Sequence, residues 1–176
     1  SCASVNERHL EEAVSNGEML FQEKRYSEAM TVCSEAEQMA RQLDDQFCLG
    51  KIYRIMAHIS NAAYRYQDEI QYLKMASDAF HNAEKPYNRL YVDMEKGMAY
   101  YNVSDYASAE KVYRDVLYRA YEVSDTALQA QCLSAYAALS LEVSSPDPSL
   151  SIDMLSRVAN DLKYPLSSAD RGVLAY

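Results

Sequence analysis

A polar, partly cationic stripe runs through the middle of the chain. It consists of Lys51, Arg54, His58 and Asn61, which follow one another at intervals of three or four residues. On a helix, this spacing places all four side chains on one face. The protein is otherwise acidic, with a formal net charge of −9, so the stripe is a candidate for contact with a ligand. The alternatives are a solvated face, or a salt bridge to Glu11 or Glu18.

A second stripe, of aromatic and thioether side chains, has the same helical spacing further along the chain. Its members are Tyr91, Met94, Met98 and Tyr101, and Asn102 follows the last of them. Such stripes usually pack into a core, and that is the alternative here. The core-facing side of the same helix is already filled, however, by Leu90, Gly97 and Tyr100. We therefore expect an exposed patch suited to a peptide or helix partner, because Tyr supplies contact area at low entropic cost and Met adapts its shape.

No constellation of residues predicts an enzyme. The three histidines, His9, His58 and His81, are scattered, and none has metal-ligand spacing to another His or to a Cys. The chain contains no nucleophile elbow, phosphate-binding loop or dinucleotide fingerprint. Adjacent acidic residues such as those at 11–12 and 44–45 point in different directions on a helix, so they do not form an acid–base pair. We expect no catalytic residue, no metal and no cofactor.

Composition excludes several other classes. Of 176 residues, 49% are hydrophobic and 24% charged, with only four Gly and four Pro, which favours a helical globular chain. The excess of 26 acidic over 17 basic residues argues against binding to a nucleic-acid backbone. No apolar run approaches the roughly 20 residues that span a bilayer. Cys33 and Cys132 fall in apolar positions and are expected to be buried thiols.

Several positions recur every 40 residues, which is the sequence pattern of a stacked repeat. Three series share this step: Tyr26, Tyr66 and Tyr106; the tiny residues Gly17, Ala57, Gly97 and Ala137; and the small apolar residues Ala36, Ala76 and Val116. A Gly inside a helix costs about 1 kcal/mol relative to Ala. The tiny series therefore predicts that the two helices of each repeat approach closely at this level.

Each repeat is predicted to be a pair of helices. In the first repeat, helix A runs from Asn6 to about Glu23 and helix B from Ser27 to about Leu43. The repeats are predicted at about 6–44, 45–84, 85–124 and 125–164, with a partial repeat at 165–176. Serine and aspartate pairs at 44–45, 104–105 and 124–125 stand where helices should start or stop. The fourth repeat needs an extra loop at 144–148.

The repeat is similar to the tetratricopeptide repeat. A small residue, then Tyr, Ala and Ala at fixed offsets, is read in the first repeat as Gly17, Tyr26, Ala29 and Ala36. The second repeat departs from this pattern at Glu69, and the fourth at Pro148. The resemblance implies an all-α fold, a right-handed α-solenoid of antiparallel helix pairs with about four and a half repeats. Residues 1–176 would form a single superhelical domain, with longer helices than usual, and we expect the natural chain to continue beyond it.

The same resemblance implies where a partner would bind. Helix A lines the concave face of tetratricopeptide stacks, so both stripes would lie in a groove that binds a protein or peptide. The cationic stripe faintly resembles the clamp that grips a peptide carboxylate in chaperone-binding repeats, although Asn is missing at the His58 position. Other interpretations are a domain that senses a small ligand, such as an oligosaccharide or a peptide, and a self-association module that forms a homodimer.

The start of the chain suggests a cellular setting. Residues 1–4 resemble the end of a lipoprotein signal, with Cys2 as the residue that would receive lipid. Long-helix repeats of this type are common in bacterial sensory and regulatory proteins. We therefore expect the sensory or scaffolding part of a membrane-attached bacterial signalling or transcription regulator. It would be periplasmic or membrane-anchored if Cys2 is lipidated, and cytoplasmic otherwise; any membrane contact would be through that lipid.

Overall fold

A computed structural model of the chain describes residues 4–142 and Ser156. Cys2, the predicted loop at 144–148, the fourth helix B and the partial repeat lie outside the described residues. Within them the chain is helical and contains no strand, so the predicted all-α class is confirmed. Seven helices are described: α1 (Val5–Gln22), α2 (Tyr26–Gln42), α3 (Gln46–Ala62), α4 (Tyr66–Asn82), α5 (Pro86–Asn102), α6 (Tyr106–Glu122) and α7 (Thr126–Glu142).

Every turn between the described helices has the same backbone form. The second residue after each helix has a positive φ, between 50° and 62°, and none of these residues is Gly. After α1, the Lys24 N–H donates to the carbonyl of Phe21 and the Arg25 N–H to the carbonyl of Leu20. This pair of hydrogen bonds is the Schellman motif, which satisfies carbonyls that the helix end leaves open. Equivalent pairs of bonds occur after α2 to α6.

The residue after the left-handed position then starts the next helix. Asp45, Asp105 and Asp125 each accept a hydrogen bond from a backbone N–H three residues on, at 2.9, 3.2 and 3.0 Å between heavy atoms. These are N-cap contacts. The predicted start and stop signals are therefore confirmed, because the first residue of each pair adopts the left-handed conformation and the second caps the following helix.

The chain divides into two compact units, Ser1–Ala99 and Tyr100–Tyr176, with the boundary inside α5. In the first unit, α1 packs on α2, α2 on α3 and α3 on α4, and α1 also contacts α3. In the second unit, α6 packs on α7. Consecutive helices thus pack on one another in each unit, as in a stack of helix pairs. The prediction of one superhelical domain over 1–176 stays a prediction.

The tiny series and the small apolar series are part of the core of both units, whereas the tyrosine series is half-buried. All four members of the tiny series, at 17, 57, 97 and 137, are buried. A methyl group added at Gly17 would lie 2.9 Å from the sulfur of Cys33, so α1 and α2 approach closely there, as predicted. Cys33, Cys48 and Cys132 are buried, and burial raises their thiol pKa values to about 11, 11 and 12. The expectation of buried thiols at 33 and 132 is confirmed.

A second close approach, between α3 and α4, is absent from the repeat pattern. A methyl group added at Gly50 would lie 2.5 Å from the Phe80 ring, and Phe80 is itself buried. The equivalent positions in the first repeat hold Leu10 and Ala40, which are both buried too. The second repeat therefore places its large side chain on the opposite helix of the pair. The combined volume of the two side chains is similar in both repeats, although the residue at each position differs.

We expect Gly50→Ala to destabilise the protein. Alanine is the better helix former by about 1 kcal/mol, but overpacking against a buried ring costs about 1–3 kcal/mol. A lower urea midpoint is the predicted result, with a net loss of up to about 2 kcal/mol in the free energy of unfolding. Ser34→Ala, at an exposed position of α2, serves as the control. A midpoint that rises with Gly50→Ala would contradict the contact with Phe80.

We expect Lys24→Gly to stabilise the protein. A left-handed conformation costs a non-glycine residue about 1–2 kcal/mol, and part of this gain is lost to the greater freedom of Gly in the unfolded chain. The free energy of unfolding should rise by up to about 1 kcal/mol. Gln38→Gly, inside α2 and exposed, should instead lower it by about 1 kcal/mol. Equal effects of the two substitutions on the urea midpoint would show that the turn is not strained.

Candidate functional site

The second repeat replaces apolar or small residues with polar ones at several equivalent positions. Arg54 stands in the column of Val14 and Met94, Asn61 in that of Phe21 and Tyr101, and Glu69 in that of Ala29 and Ala109. Local rules of a fold are most often broken at functional sites. These substitutions therefore mark a candidate functional site in the second repeat.

Two residues of the cationic stripe are held by one carboxylate. Arg54 and His58, both on α3, face Glu95 on α5. The Arg54 Nε donates to Oε1 of Glu95 at 2.8 Å, and its Nη2 donates to the same oxygen. The His58 Nε2 lies 2.6 Å from Oε2. Both oxygens of Glu95 are thus engaged, and the side chain of Glu95 is only 23% exposed. We call Arg54, His58 and Glu95 the ion cluster.

The surroundings of the ion cluster join three A helices of the first unit. The ring centroids of His58 and Phe21, which lies on α1, are 5.8 Å apart. His58 also contacts Glu95 on α5, and α3 packs on α1. Side chains of the three A helices therefore meet around His58 and contribute to a common surface. We call this surface, formed by α1, α3 and the part of α5 up to Ala99, the A-helix face.

The other two members of the cationic stripe have different contacts. Asn61 donates through Nδ2 to Oε2 of Glu69, at 3.1 Å, and Glu69 is buried. Asn61 and Glu69, which both depart from the repeat pattern, are therefore hydrogen-bonded to each other. The Lys51 Nζ lies 4.5 Å from the centroid of the Phe47 ring, one turn earlier on the same helix, a cation–π distance.

The pKa values of the two carboxyl groups near His58, those of Glu95 and Glu69, are shifted in opposite directions. Burial alone would raise the pKa of Glu95, but hydrogen bonds and charges from His58 and Arg54 outweigh it, so the pKa lies below its ordinary value. Burial raises the pKa of Glu69, and the charge of Glu95 adds to this, although the Asn61 hydrogen bond and the charge of His58 oppose it. Glu69 has fewer ionic partners than Glu95, so the loss of hydration on burial decides the direction of its pKa shift.

The structure brings Arg54 and His58 together as predicted, but the carboxylate that pairs with them differs from the expected one. The salt bridge is made with Glu95, so the expected partners Glu11 and Glu18 are wrong. Glu95 carried a signal that the sequence analysis missed: it occupies the column of Ile55, which is buried. Ser15, at the equivalent position of the first repeat, is exposed, so a partner of opposite charge is required only where the charged residue is buried, as Glu95 largely is.

The aromatic and thioether stripe is only partly on the surface. Tyr91 and Met98 are 37% and 44% exposed, whereas Met94 is 2% exposed. The expectation of an exposed Met94 is therefore wrong. Met94 shares its column with Val14, which is also buried, whereas Arg54 in the same column has a side chain that is 42% exposed. Tyr87, one turn before Tyr91, is 52% exposed and belongs to the same surface, although the sequence analysis did not select it.

The last two predicted residues lie in the second unit. Tyr101 is half-buried, and its ring meets that of Tyr106 edge to face, with centroids 5.4 Å apart. Burial, with the carboxylate of Glu142 as the next cause, raises the pKa of Tyr101. Asn102 is exposed and is the last residue of α5.

Comparison with known proteins adds no family. No protein-family model matches the chain, and no curated protein matches it significantly. The resemblance to tetratricopeptide repeats therefore stays a prediction. Among residues 4–142 and Ser156, no group of three or more His, Cys, Asp or Glu side chains is placed to hold a metal ion. No helix in the same residues is long and apolar enough to cross a membrane.

The ion cluster predicts a specific dependence of stability on pH. Because the folded-state pKa of Glu95 is lowered, its stabilisation is complete above the ordinary pKa of about 4.3 and is lost as the pH falls through the folded-state value. Glu95→Gln should therefore destabilise the protein most near neutral pH and least in acid. The measurement is the free energy of urea unfolding of both proteins across this range.

Glu69→Gln provides the matched comparison, and its dependence on pH should have the opposite sign. The raised pKa of Glu69 means that its stabilisation is present below the ordinary pKa and is lost as the pH rises through the folded-state value. Relative to the unsubstituted protein, Glu69→Gln should gain stability between acid and neutral pH. Parallel curves for the two variants would contradict the assignment of their environments.

Proposed function

We propose that this chain is a non-enzymatic protein- or peptide-binding module of helical repeats, and that the A-helix face of its first unit is the binding surface. The observation that carries this proposal is the position of Tyr87, Tyr91 and Met98, which expose large apolar side chains on α5. Aromatic residues and Met are enriched at protein interfaces. Tyr in particular offers a large apolar ring with a polar end.

The polar surface of α2, the B helix of the first repeat, supports the choice of the A-helix face. The exposed positions of α2 are mainly polar, for example Glu28, Thr31, Glu35 and Gln38. The large apolar side chains that α5 exposes therefore do not reflect a general lack of polar surface. On α2, polar side chains thus cover the exposed surface, in contrast to α5.

The chemistry of the described residues also favours binding over catalysis. Arg54 and His58 are both bonded to Glu95, which gives them a structural role in holding α3 and α5 together. The thiols at 33, 48 and 132 are buried and have raised pKa values, which disfavours the reactive thiolate. The broader setting predicted from the resemblance, part of a membrane-attached bacterial regulator, stays a prediction, and Cys2 lies outside the described residues.

Replacing both Tyr91 and Met98 with Ala should weaken peptide binding. The probe is a peptide selected from a random displayed library by panning on the full chain, with its affinity measured by fluorescence anisotropy. Loss of each side chain at the centre of an interface typically costs 1 kcal/mol or more, so we expect about a tenfold to hundredfold loss of affinity. Helix content by circular dichroism should not change.

The chain offers a matched control in the same unit. Tyr64 in the turn before α4 and Met75 on α4 are 80% and 36% exposed, and neither lies on the A-helix face. Replacing this pair with Ala should leave affinity unchanged. If the control pair weakens binding as much as Tyr91→Ala with Met98→Ala, or if neither pair does, the assignment of the face is wrong.

A further inference from the structure

We propose that the A-helix face selects basic peptides over acidic ones, and that Glu95 is the residue that sets this preference. The inference rests on the proposed function, because it names the class of partner that the same surface would take. The partner is a polypeptide segment with Lys or Arg side chains near an aromatic or aliphatic anchor. Three features of the first unit carry the argument: the ion cluster, the charges of α1 and the order of the three A helices.

The groups of the ion cluster that could bind a carboxylate of a partner are already occupied by Glu95. Arg54 occupies Oε1 of Glu95 with two nitrogens, and His58 contacts Oε2. A carboxylate from a peptide would have to displace Glu95 from both partners. It would also be brought beside a carboxylate of like charge, which is an effective way to reject a wrong partner. Glu95 therefore occupies the position of the ligand that the cationic stripe was predicted to bind.

The α1 end of the same face is negative. Glu11 and Glu18 lie on α1 at the positions equivalent to Lys51 and His58, and both are exposed. Among residues 4–142, neither carboxylate forms a salt bridge with another side chain. The positive charges of Lys51 and Lys85 lie near the Phe47 ring of α3, and Arg54 is paired with Glu95. The negative charge is therefore confined to α1, where it complements a basic segment of the partner.

The order of the helices separates the charged and apolar parts of the face. The acidic residues lie on α1, the apolar anchors Tyr87, Tyr91 and Met98 on α5, and the ion cluster between them. Packed helices are about 8–10 Å apart, so two spacings come to about 16–20 Å. An extended chain advances about 3.3 Å per residue. The partner should therefore carry its basic residues about five or six positions from its apolar anchor.

The test compares three peptides that differ only in charge. Each has one aromatic anchor and, about five positions away, a cluster of Lys, of Gln or of Glu. Fluorescence anisotropy with the full chain gives their affinities at low and at high salt. We expect the Lys peptide to bind at least about tenfold more tightly than the Glu peptide, and the difference to shrink as salt screens the charges.

Substitution of Glu95 then tests its role. In Glu95→Gln, Arg54 and His58 lose their carboxylate partner. A Glu peptide whose charges stand about two or three positions from the anchor, opposite α3, should therefore gain about tenfold in affinity, and the matching Lys peptide should lose affinity. Glu37→Gln, on α2 of the same unit, is the matched control. Glu37 is 24% exposed, pairs with Arg41 and accepts a hydrogen bond from the Tyr53 hydroxyl. It should leave the peptide preference unchanged. Circular dichroism confirms that both variants fold.

A second variant does not depend on the stability of the ion cluster. Glu11→Gln combined with Glu18→Gln changes only exposed side chains of α1, and it should weaken the Lys peptide about tenfold without improving the anchor contact. The inference is wrong if the unsubstituted protein binds the three peptides equally, or if Glu95→Gln keeps the preference of the unsubstituted protein.

The outcomes separate this inference from the proposed function. Binding that ignores peptide charge but is lost with Tyr91→Ala overturns the selectivity alone. Binding that is unaffected by Tyr91→Ala places the partner elsewhere and overturns the proposed face. Absence of binding for all three peptides overturns both, because each peptide carries the anchor that the face should recognise.

Discussion

A short left-handed turn sets the geometry on which all other features of this chain depend. Each of the helices α2 to α7 has 17 residues, and three residues separate each of them from the helix before it, so the same turn recurs every 20 residues. The turn uses non-glycine residues at positive φ, a conformation that costs about 1–2 kcal/mol each time. Packing of the helices must offset this cost. In return, residues 40 apart keep equivalent positions, which allows one surface to be built from successive A helices.

Fixed equivalence between repeats also explains why departures from the pattern occur in complementary sets. Gly50 accompanies Phe80, Asn61 accompanies Glu69, and Arg54 with His58 accompanies Glu95. In each case the partner lies on a neighbouring helix or on the next A helix, and it supplies the volume or the charge that the first change requires. A close-packed interior permits little else, since an uncompensated void or an unpaired buried charge would cost several kcal/mol. The second repeat is therefore a coordinated variant of its neighbours.

Much of the fold could be predicted because it depends on local signals repeated several times. Hydrophobic periodicity, cap residues and the tiny series each pointed to the same helix pairs, and the observed helix ends differ from the predicted ones by about one residue for α1 and α2. The burial of Cys33 and Cys132 followed from their columns. Such agreement between levels is what a consistently encoded fold provides.

The details of the site could not be predicted in the same way. Helical spacing groups Tyr91, Met94 and Met98 on one broad side, but a small rotation of α5 decides which of them enters the core. The partner of Arg54 is 41 residues away, and its identity depends on how one A helix lies against the next. Glu11 and Glu95 were equally available in the sequence. Only the stacking of α3 between α1 and α5 distinguishes them.

The ion cluster is difficult to explain as a stabilising device. Partly buried charges recover in their salt bridges little more than the free energy lost on leaving water, and apolar residues of similar volume often serve stability as well or better. The same column holds Val14 and Met94, which shows that apolar side chains fit there. The presence of Arg54 with a dedicated carboxylate therefore agrees with the proposed role in recognition. A cation that is already neutralised cannot attract an acidic ligand, but it can hold Glu95 in a fixed position, from which, in our proposal, the carboxylate would restrict the partners that approach Tyr91 and Met98.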